Sequence, residues 1–239
     1  MDEIKVERTY PLSVMDGVQS GGLFVDDADE PRKLLFWHRC GFAMLAGNVD
    51  DAFASEALDM MREPSEEFSS RMALQAPDDA PYESVFLSDS RVTRYVRYVL
   101  EFTGNVNPLR PDSGTRVVPI DRDNYDLFNG RIVPSFSWDS REAFLEKGFG
   151  LLLMHRSEVL AGAFSSALSR ECCDIGIETM EPHRGHGYAK TIAAAMVLET
   201  LKRGLIPVWD CDTRNIGSLK TAQSCGFEIC GTHPWYKYE

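Results

Sequence analysis

Between Ile175 and Thr191 the chain reads Ile-Gly-Ile-Glu-Thr-Met-Glu-Pro-His-Arg-Gly-His-Gly-Tyr-Ala-Lys-Thr. A strand pattern runs into a short loop, and Gly185 and Gly187 open the longest helical stretch of the sequence. Glycines at such a junction let the backbone approach a ligand closely, and the amides of a helix's first turn point outward with the positive end of its dipole. That arrangement suits a pyrophosphate, and Arg184, Lys190, His183 and His186 add positive charge beside it. The same residues read equally as a glycine-rich turn with no ligand, because short glycine motifs are common. Two other phosphate loops are excluded. No G-x-x-x-x-G-K-[ST] occurs, and the third glycine of G-x-G-x-x-G is replaced by Lys190, so neither a P-loop NTPase nor a Rossmann dehydrogenase is expected. Cys172 and Cys173 beside Asp174 lack an activating histidine and read as buried thiols. His183 and His186 lack further ligand-spaced partners, so no metal is expected.

The elements around this loop follow from periodicity and turn residues. Arg116–Ile120 reads as a strand, Asp121–Phe128 as a capped helix and Ser140–Lys147 as a short helix stopped by Gly148. Phe149–His155 and Glu158–Ser165 form a hairpin across Arg156-Ser157, and Cys172–Thr179 is a further strand. Tyr188–Arg203 is the long helix, Ile206–Asp210 a strand, Ile216–Ser224 a helix, and Phe227–Tyr238 a strand pair broken at Pro234. The alternation predicts a mixed α/β sheet.

Before residue 115 the signals are weaker. Asp29-Glu30-Pro31 reads as the start of a helix reaching Gly41, and Gly41–Gly47 as a buried strand. Asn48 or Asp50 caps a helix bearing Phe53, Ala57, Leu58 and Met61, with Pro64 after its end. Tyr82–Leu87 reads as a strand. Arg91–Phe102 reads as another, although Arg91, Arg94 and Arg97 also fit one side of a helix. Asn105–Gly114 is rich in turn formers and divides the chain into an N-terminal α/β region, 1–114, and a second domain, 115–239.

Composition narrows the class. The chain has 239 residues, 44% hydrophobic and 26% charged, with a formal charge of −12. Residues 1–114 hold 11 basic and 21 acidic side chains and so carry ten of those twelve charges, which could offer a negative rim to a cationic amine. Such acidity argues against nucleic acid or an anionic membrane as partner. No apolar run approaches ~18 residues. Met1-Asp2-Glu3-Ile4-Lys5 lacks the basic leader and apolar core of a secretory signal, so a cytoplasmic setting with reduced thiols is expected.

Arg184-x-x-Gly187-x-Ala189, between a strand and a long helix, resembles the acyl-CoA loop of the GNAT N-acetyltransferases, written [QR]-x-x-G-x-[GA]. Trp209-Asp-Cys-Asp-Thr-Arg-Asn215-Ile-Gly-Ser218, followed by Cys225-Gly-Phe227, resembles that family's second half, so the resemblance spans roughly 116–239. Within the family, the W-D-x-x-x-x-N-x-x-S run and the Phe-Trp-His…Gly-Phe…Ala-Gly pattern at 36–47 resemble the zwittermicin A resistance-type group. The resemblance implies a mostly antiparallel GNAT sheet flanked by helices, with acetyl-CoA as cosubstrate. The amides from Arg184 through Gly185, His186, Gly187 and Tyr188 to Ala189 would hold its pyrophosphate, the strand edge at Thr179 and Met180 its pantetheine, and Asn215 with Ser218 its other side.

An alkyl amine is mostly protonated near neutrality, so a carboxylate that takes its proton assists attack on the thioester. Glu178 stands where many members carry that base; the competing reading is a carboxylate on a solvated strand face. Asp210 and Asp212 either orient a cationic substrate or, in one case, cap a helix. Many members place a tyrosine seven residues after the asparagine to protonate the thiolate; here Ala222 stands there, leaving Tyr188 or a water as general acid. The expected activity is acetyl transfer to a small-molecule primary amine, such as an amine-bearing antibiotic, in a ternary complex. The alternatives are a protein or peptide amine as acceptor, or a silent CoA-binding module.

Overall fold

A computed structural model describes residues 8–63, 72–77, 80–106 and 113–238. Met1–Lys5, Pro64 and residues 107–112 of the expected linker lie outside the described residues. In chain order the elements are α1 (Thr9–Met15), β1 (Gly21–Val25), β2 (Lys33–His38), β3 (Phe42–Gly47), α2 (Asp51–Arg62), β4 (Ala73–Gln75), α3 (Glu83–Leu87) and β5 (Val92–Phe102). There follow β6 (Thr115–Pro119), α4 (Arg141–Lys147), β7 (Gly150–His155), β8 (Glu158–Leu168), β9 (Cys172–Thr179), α5 (Tyr188–Lys202), β10 (Ile206–Asp212), α6 (Ile216–Ser224) and β11 (Phe227–Tyr238). The described strands make one sheet in the order β1-β2-β3-β4-β11-β5-β10-β9-β8-β7-β6. Its pairs are antiparallel except β3 with β4 and β9 with β10. This is the mixed, mostly antiparallel sheet flanked by helices that the sequence implies.

Residue 114 divides the sequence, but the sheet is shared across it. β5 lies between β10 and β11, pairing Leu100 with Trp209 on one side and with Ile229 on the other. One core packs Leu35, Trp37, Phe53, Leu58, Leu74 and Phe86, and reaches across the sequence to Tyr236. The other packs Phe144, Leu152, Phe164, Ile192, Met196, Trp209 and Phe227, and includes Leu100. Polar ties join the halves: Gln19 Nε2 donates to the carbonyls of Ser137 and Ser166, each at 3.0 Å, and Arg39 donates to the Trp138 carbonyl at 2.8 Å.

Four segments differ from expectation. Asp29–Gly41 is not a helix but contains β2. Asp26 and Asp27 accept backbone N–H groups of Arg32, Lys33, Asp29 and Glu30, making a turn of the supposed helix start. Leu35, Phe36 and Trp37 are then buried on both faces between β1 and β3, where a helix would bury only one stripe. Tyr82–Leu87 is not a strand but holds the single turn α3, which lays Phe86 on the Tyr236 ring at 5.2 Å. Short apolar runs fit either element until packing decides. Asp121–Phe128 keeps only a 3-10 turn at Tyr125–Leu127, because Asp121 and Asn124 bond each other's backbone and compete with the helix. Phe227–Tyr238 is one strand, bulged between Ile229 and Gly231, rather than a pair broken at Pro234. The Pro234 carbonyl accepts from Ala76, so its missing N–H faces the end of the short β4, where no ladder bond is lost.

Candidate active site

β9 and β10 run parallel and pair only from Ile206–Val208 against Cys172–Asp174. Beyond that both strands continue, to Thr179 and to Asp212, without bonding each other. The result is a wedge in the sheet, with one edge of β9 free to bond a ligand. The Met180 N–H bonds the Leu160 carbonyl on the β8 side. Backbone polar groups alternate in direction along a strand, so Thr179 and Ile177 present theirs to the wedge. Thr179 therefore faces the wedge. Met180 does not: its N–H is turned to β8 and its side chain lines a separate cleft with Glu158 and His183. Ile177 instead turns its backbone groups to the wedge, a placement that strand alternation could have signalled.

The loop after β9 has the geometry its glycines require. Gly185 and Gly187 hold φ of +84° and +83° with open space around each Cα, so backbone conformation rather than packing selects glycine. Among the described residues, no backbone acceptor takes the N–H groups of Gly185, His186, Gly187, Tyr188 or Ala189. Five free amides at the start of a fifteen-residue helix fit a pyrophosphate. A cleft of about 520 Å³ runs from this loop along the wedge, lined by Glu178, Thr179, Arg184, Ala189, Trp209, Asn215, Ser218 and Thr221. Its volume lies within the ~300–1,000 Å³ of ligand clefts, and Ala189, the last residue of the free-amide run, lines its loop end.

Glu178 points into that cleft with 11% of its side chain exposed. Its Oε1 accepts from Arg184 Nη2 at 3.0 Å, and its Oε2 from the Ile132 N–H at 3.1 Å. The Arg184 guanidinium also reaches the Thr179 carbonyl at 3.3 Å, which links the loop to the strand. Asn215 caps α6 by accepting the Ser218 N–H at 3.1 Å. The Ser218 hydroxyl accepts from Trp209 Nε1 at 3.1 Å and keeps its own proton to donate. Ala222 is wholly buried in α6. Tyr188 stacks on His186, with ring centroids 5.7 Å apart, and does not line the cleft.

A second pocket of about 330 Å³ opens from the first, sharing Arg131, Ile132, Ile177, Trp209, Asn215 and Ser218 with it. Asp210 and Asp212 line it, each matched to an arginine. Arg97 grips Asp210 through two bonds of 2.5 and 2.8 Å, while Arg214 grips Asp212 at 2.9 and 2.6 Å. Burial lowers the Arg97 pKa, but the Asp210 charge and hydrogen bonds outweigh it and leave the guanidinium above its ordinary value. The bonds from Arg214 hold the Asp212 carboxyl below the usual range. Deeper in the pocket the Tyr10 hydroxyl bonds Ser166 Oγ at 2.8 Å and donates to Asp174 at 3.2 Å. Burial, then the Asp174 charge, push the Tyr10 phenol well up, so it remains a donor. Phe42 and Phe136 supply aromatic wall. From residues 1–114 this pocket takes Tyr10, Phe42 and Arg97, and none of that half's acids. The negative rim expected from the charge split is therefore not part of its lining. No local motif marks these residues, which a helix (Tyr10), the connection between β6 and α4 (Arg131, Phe136) and several strands bring together from distant parts of the sequence.

A split parallel strand pair, a carboxylate beside it and a glycine loop with free amides on a helix start are the features that the resemblance to an acyl-CoA-dependent transferase implies. The sequence profile of the family described as GNAT acetyltransferase matches residues 4–236. The chain belongs to that family of acyltransferases, which use acetyl-CoA as cosubstrate. The match takes in the first half, beyond the 116–239 that the loop and Asn215 motifs span. The chain is similar to a Bacillus subtilis (strain 168) protein named uncharacterized N-acetyltransferase YdfB, 24% identical over 234 residues that cover 95% of this chain and 89% of that one. A GCN5-related N-acetyltransferase-like protein from Streptococcus suis 89/1591 shares the fold with a TM-score of 0.78 at 23% identity, over 100% of this chain and 95% of that one. A GCN5-related N-acetyltransferase from Kribbella flavida gives 0.65 at 15% identity, over 97% and 94%.

Proposed function

We propose that this chain moves the acetyl group of acetyl-CoA to the amine of a small molecule, directly, with both substrates bound at once. The observation that carries this reading is the junction of the two pockets at the wedge, with the Glu178 carboxylate in the wall of the cofactor cleft. The free amides of residues 185–189 take the pyrophosphate, the Thr179 edge the pantetheine, and the 330 Å³ pocket the acceptor. That volume, at the low end of ~300–1,000 Å³ for small-molecule sites, favours a small acceptor over a protein. Residues 115–239 hold the cofactor, and the N-terminal region completes the acceptor pocket.

The thioester is already activated, so the site's work is orientation and a neutral amine. Glu178, directly or through a water, removes one proton from the ammonium. The amine nitrogen bonds the carbonyl carbon as the C–S bond breaks, and its second proton passes to the departing thiolate. With Ala222 buried, the Ser218 hydroxyl relays that proton in this reading, giving its own to the thiolate as it takes the one from the nitrogen. A thiol's pKa near 8.5 makes a weak donor sufficient. Glu178→Gln should lower kcat/KM about 10²–10⁴-fold at pH 7, the usual range for a general base, with recovery toward pH 10 as the amine deprotonates unaided. Thiol release measured across pH reads this directly. A rate unchanged at every pH removes Glu178 from the role.

A further inference from the structure

Three arginines line the joined pockets, and their situations differ. Arg97 is matched to Asp210 and Arg184 to Glu178. Arg131 lines the cofactor cleft, the acceptor pocket and the third cleft beyond Glu178, and no hydrogen bond or ion pair engages it among the described residues. Its backbone is seated on the proposed base. The next residue, Ile132, donates its N–H to Glu178, and a Cβ on the preceding Gly130 would come within 3.0 Å of Glu178 Cγ. Arg131, an exposed loop residue, thus stands where the three clefts adjoin, with its guanidinium unpaired among the described residues.

We propose that the acceptor is a small amino carboxylate, an α-amino acid or close analogue, whose carboxylate is held by Arg131 while its amine faces Glu178. This rests on the transferase reading above and adds to it the acceptor's class. A planar guanidinium matches a carboxylate with two parallel hydrogen bonds. The phosphates of the cofactor have their own site in the loop amides at the other end of the cleft. Of the three aspartates lining the pocket, Asp210 and Asp212 are matched by Arg97 and Arg214 and Asp174 accepts from the Tyr10 hydroxyl, which leaves few acceptors for a polycation. The distal end of the acceptor meets Phe42 and Phe136, then the Tyr10–Ser166–Asp174 group, which suits a side chain ending in a hydrogen-bonding atom. The pocket volume of about 330 Å³ suits a ligand of that size.

The test uses matched pairs that differ only by the carboxylate: tyrosine and tyramine, lysine and cadaverine, arginine and agmatine, histidine and histamine. Thiol release from acetyl-CoA should favour the carboxylated member of at least one pair by about tenfold to hundredfold in kcat/KM, the worth of one charge-assisted contact. Arg131→Ala should collapse that ratio toward one, chiefly through KM, with Arg131→Lys retaining part of it. Calorimetric titration of the same amino acids into the full chain saturated with CoA reads the contact without turnover, and binding there should weaken in Arg131→Ala. Amines that turn over equally with and without the carboxylate overturn the proposal while leaving the transferase reading intact. An equal loss for both members of a pair in Arg131→Ala overturns it as well, assigning the guanidinium to the transfer step itself. If no amine turns over, the transferase reading fails, and the titration still decides whether Arg131 binds a carboxylate; no binding by any panel member overturns the proposal.

Discussion

Asp210 and Arg97 give opposing predictions for two roles of one carboxylate. If Asp210 exists to hold Arg97, removing its charge leaves a guanidinium with 16% exposure facing a neutral amide, beside an aspartate position only 5% exposed. Breaking a buried ion pair by removing one partner costs about 3–5 kcal/mol. The lower end applies here, since Arg97 keeps some solvent and lies over the rings of Phe42 and Trp235 at 5.3 and 5.2 Å. At about 2–4 °C per kcal/mol for a chain of this size, Asp210→Asn should lower Tm by about 6–12 °C. Joint replacement, Arg97→Met with Asp210→Leu, removes the stranded charge and should recover most of that loss. Asp212→Asn is the internal control. Its partner Arg214 is 74% exposed, and such pairs contribute about 0–1 kcal/mol. Thermal unfolding followed by circular dichroism at pH 7.5, with acceptor KM measured on the same preparations, separates the roles. A Tm within about 2 °C of the parent together with a tenfold rise in acceptor KM would refute the pairing argument and return Asp210 to substrate binding.

Two further outcomes follow from backbone and burial. Gly187→Ala forces an L residue to φ +83°, at about 1–2 kcal/mol, with no atom within 4 Å of the new Cβ; KM for acetyl-CoA should rise several-fold while acceptor KM moves little, as initial rates with each substrate varied will tell. His38 is 1% exposed; burial, then the Arg39 charge, lower its pKa from 6.5 to about 3, and its Nδ1 accepts the Cys40 N–H. The unfolded chain takes up this proton near pH 6.5 and the folded chain only near 3, so this stability is complete above pH 6.5 and lost as pH falls through that window. From pH 7 to 5 the loss should be about 2 kcal/mol, read by urea unfolding, and His38→Gln should flatten the slope by one proton; equal slopes would mean His38 is already charged when folded.

What was legible in the sequence is what is local. α5 and α6 declare themselves by a glycine at one start, Asn215 at the other and apolar spacing between, and the hairpin of β7 and β8 by two apolar runs around Arg156-Ser157. The loop at 184–189 was legible for the same reason, because its amides and glycines are neighbours in sequence. β2 was misread because Asp-Glu-Pro resembles a helix start, and only pairing with β1 and β3 shows that the preceding acids close a turn. The second pocket was invisible because its parts are far apart in sequence: β5 carries Arg97 across to β10, and α1 brings Tyr10 to Ser166 and Asp174.

Charge shows the gap most sharply. The first half holds ten of the twelve net negative charges, yet many of its acids are occupied at a distance from the pocket: Asp26 and Asp27 in a turn, Asp50 on Lys33, Asp89 on Arg62, Glu83 on Arg94. To the pocket that acidic half contributes an arginine and two aromatics, while the lining aspartates come from the near-neutral half. Net charge over a stretch of sequence describes the field far from a protein, where screening over ~8–10 Å erases the detail. Inside a pocket of this size the sign is set by which side chains the fold places side by side: Arg97 answers Asp210 across the sheet, while Arg131, from a loop, has no partner among the described residues.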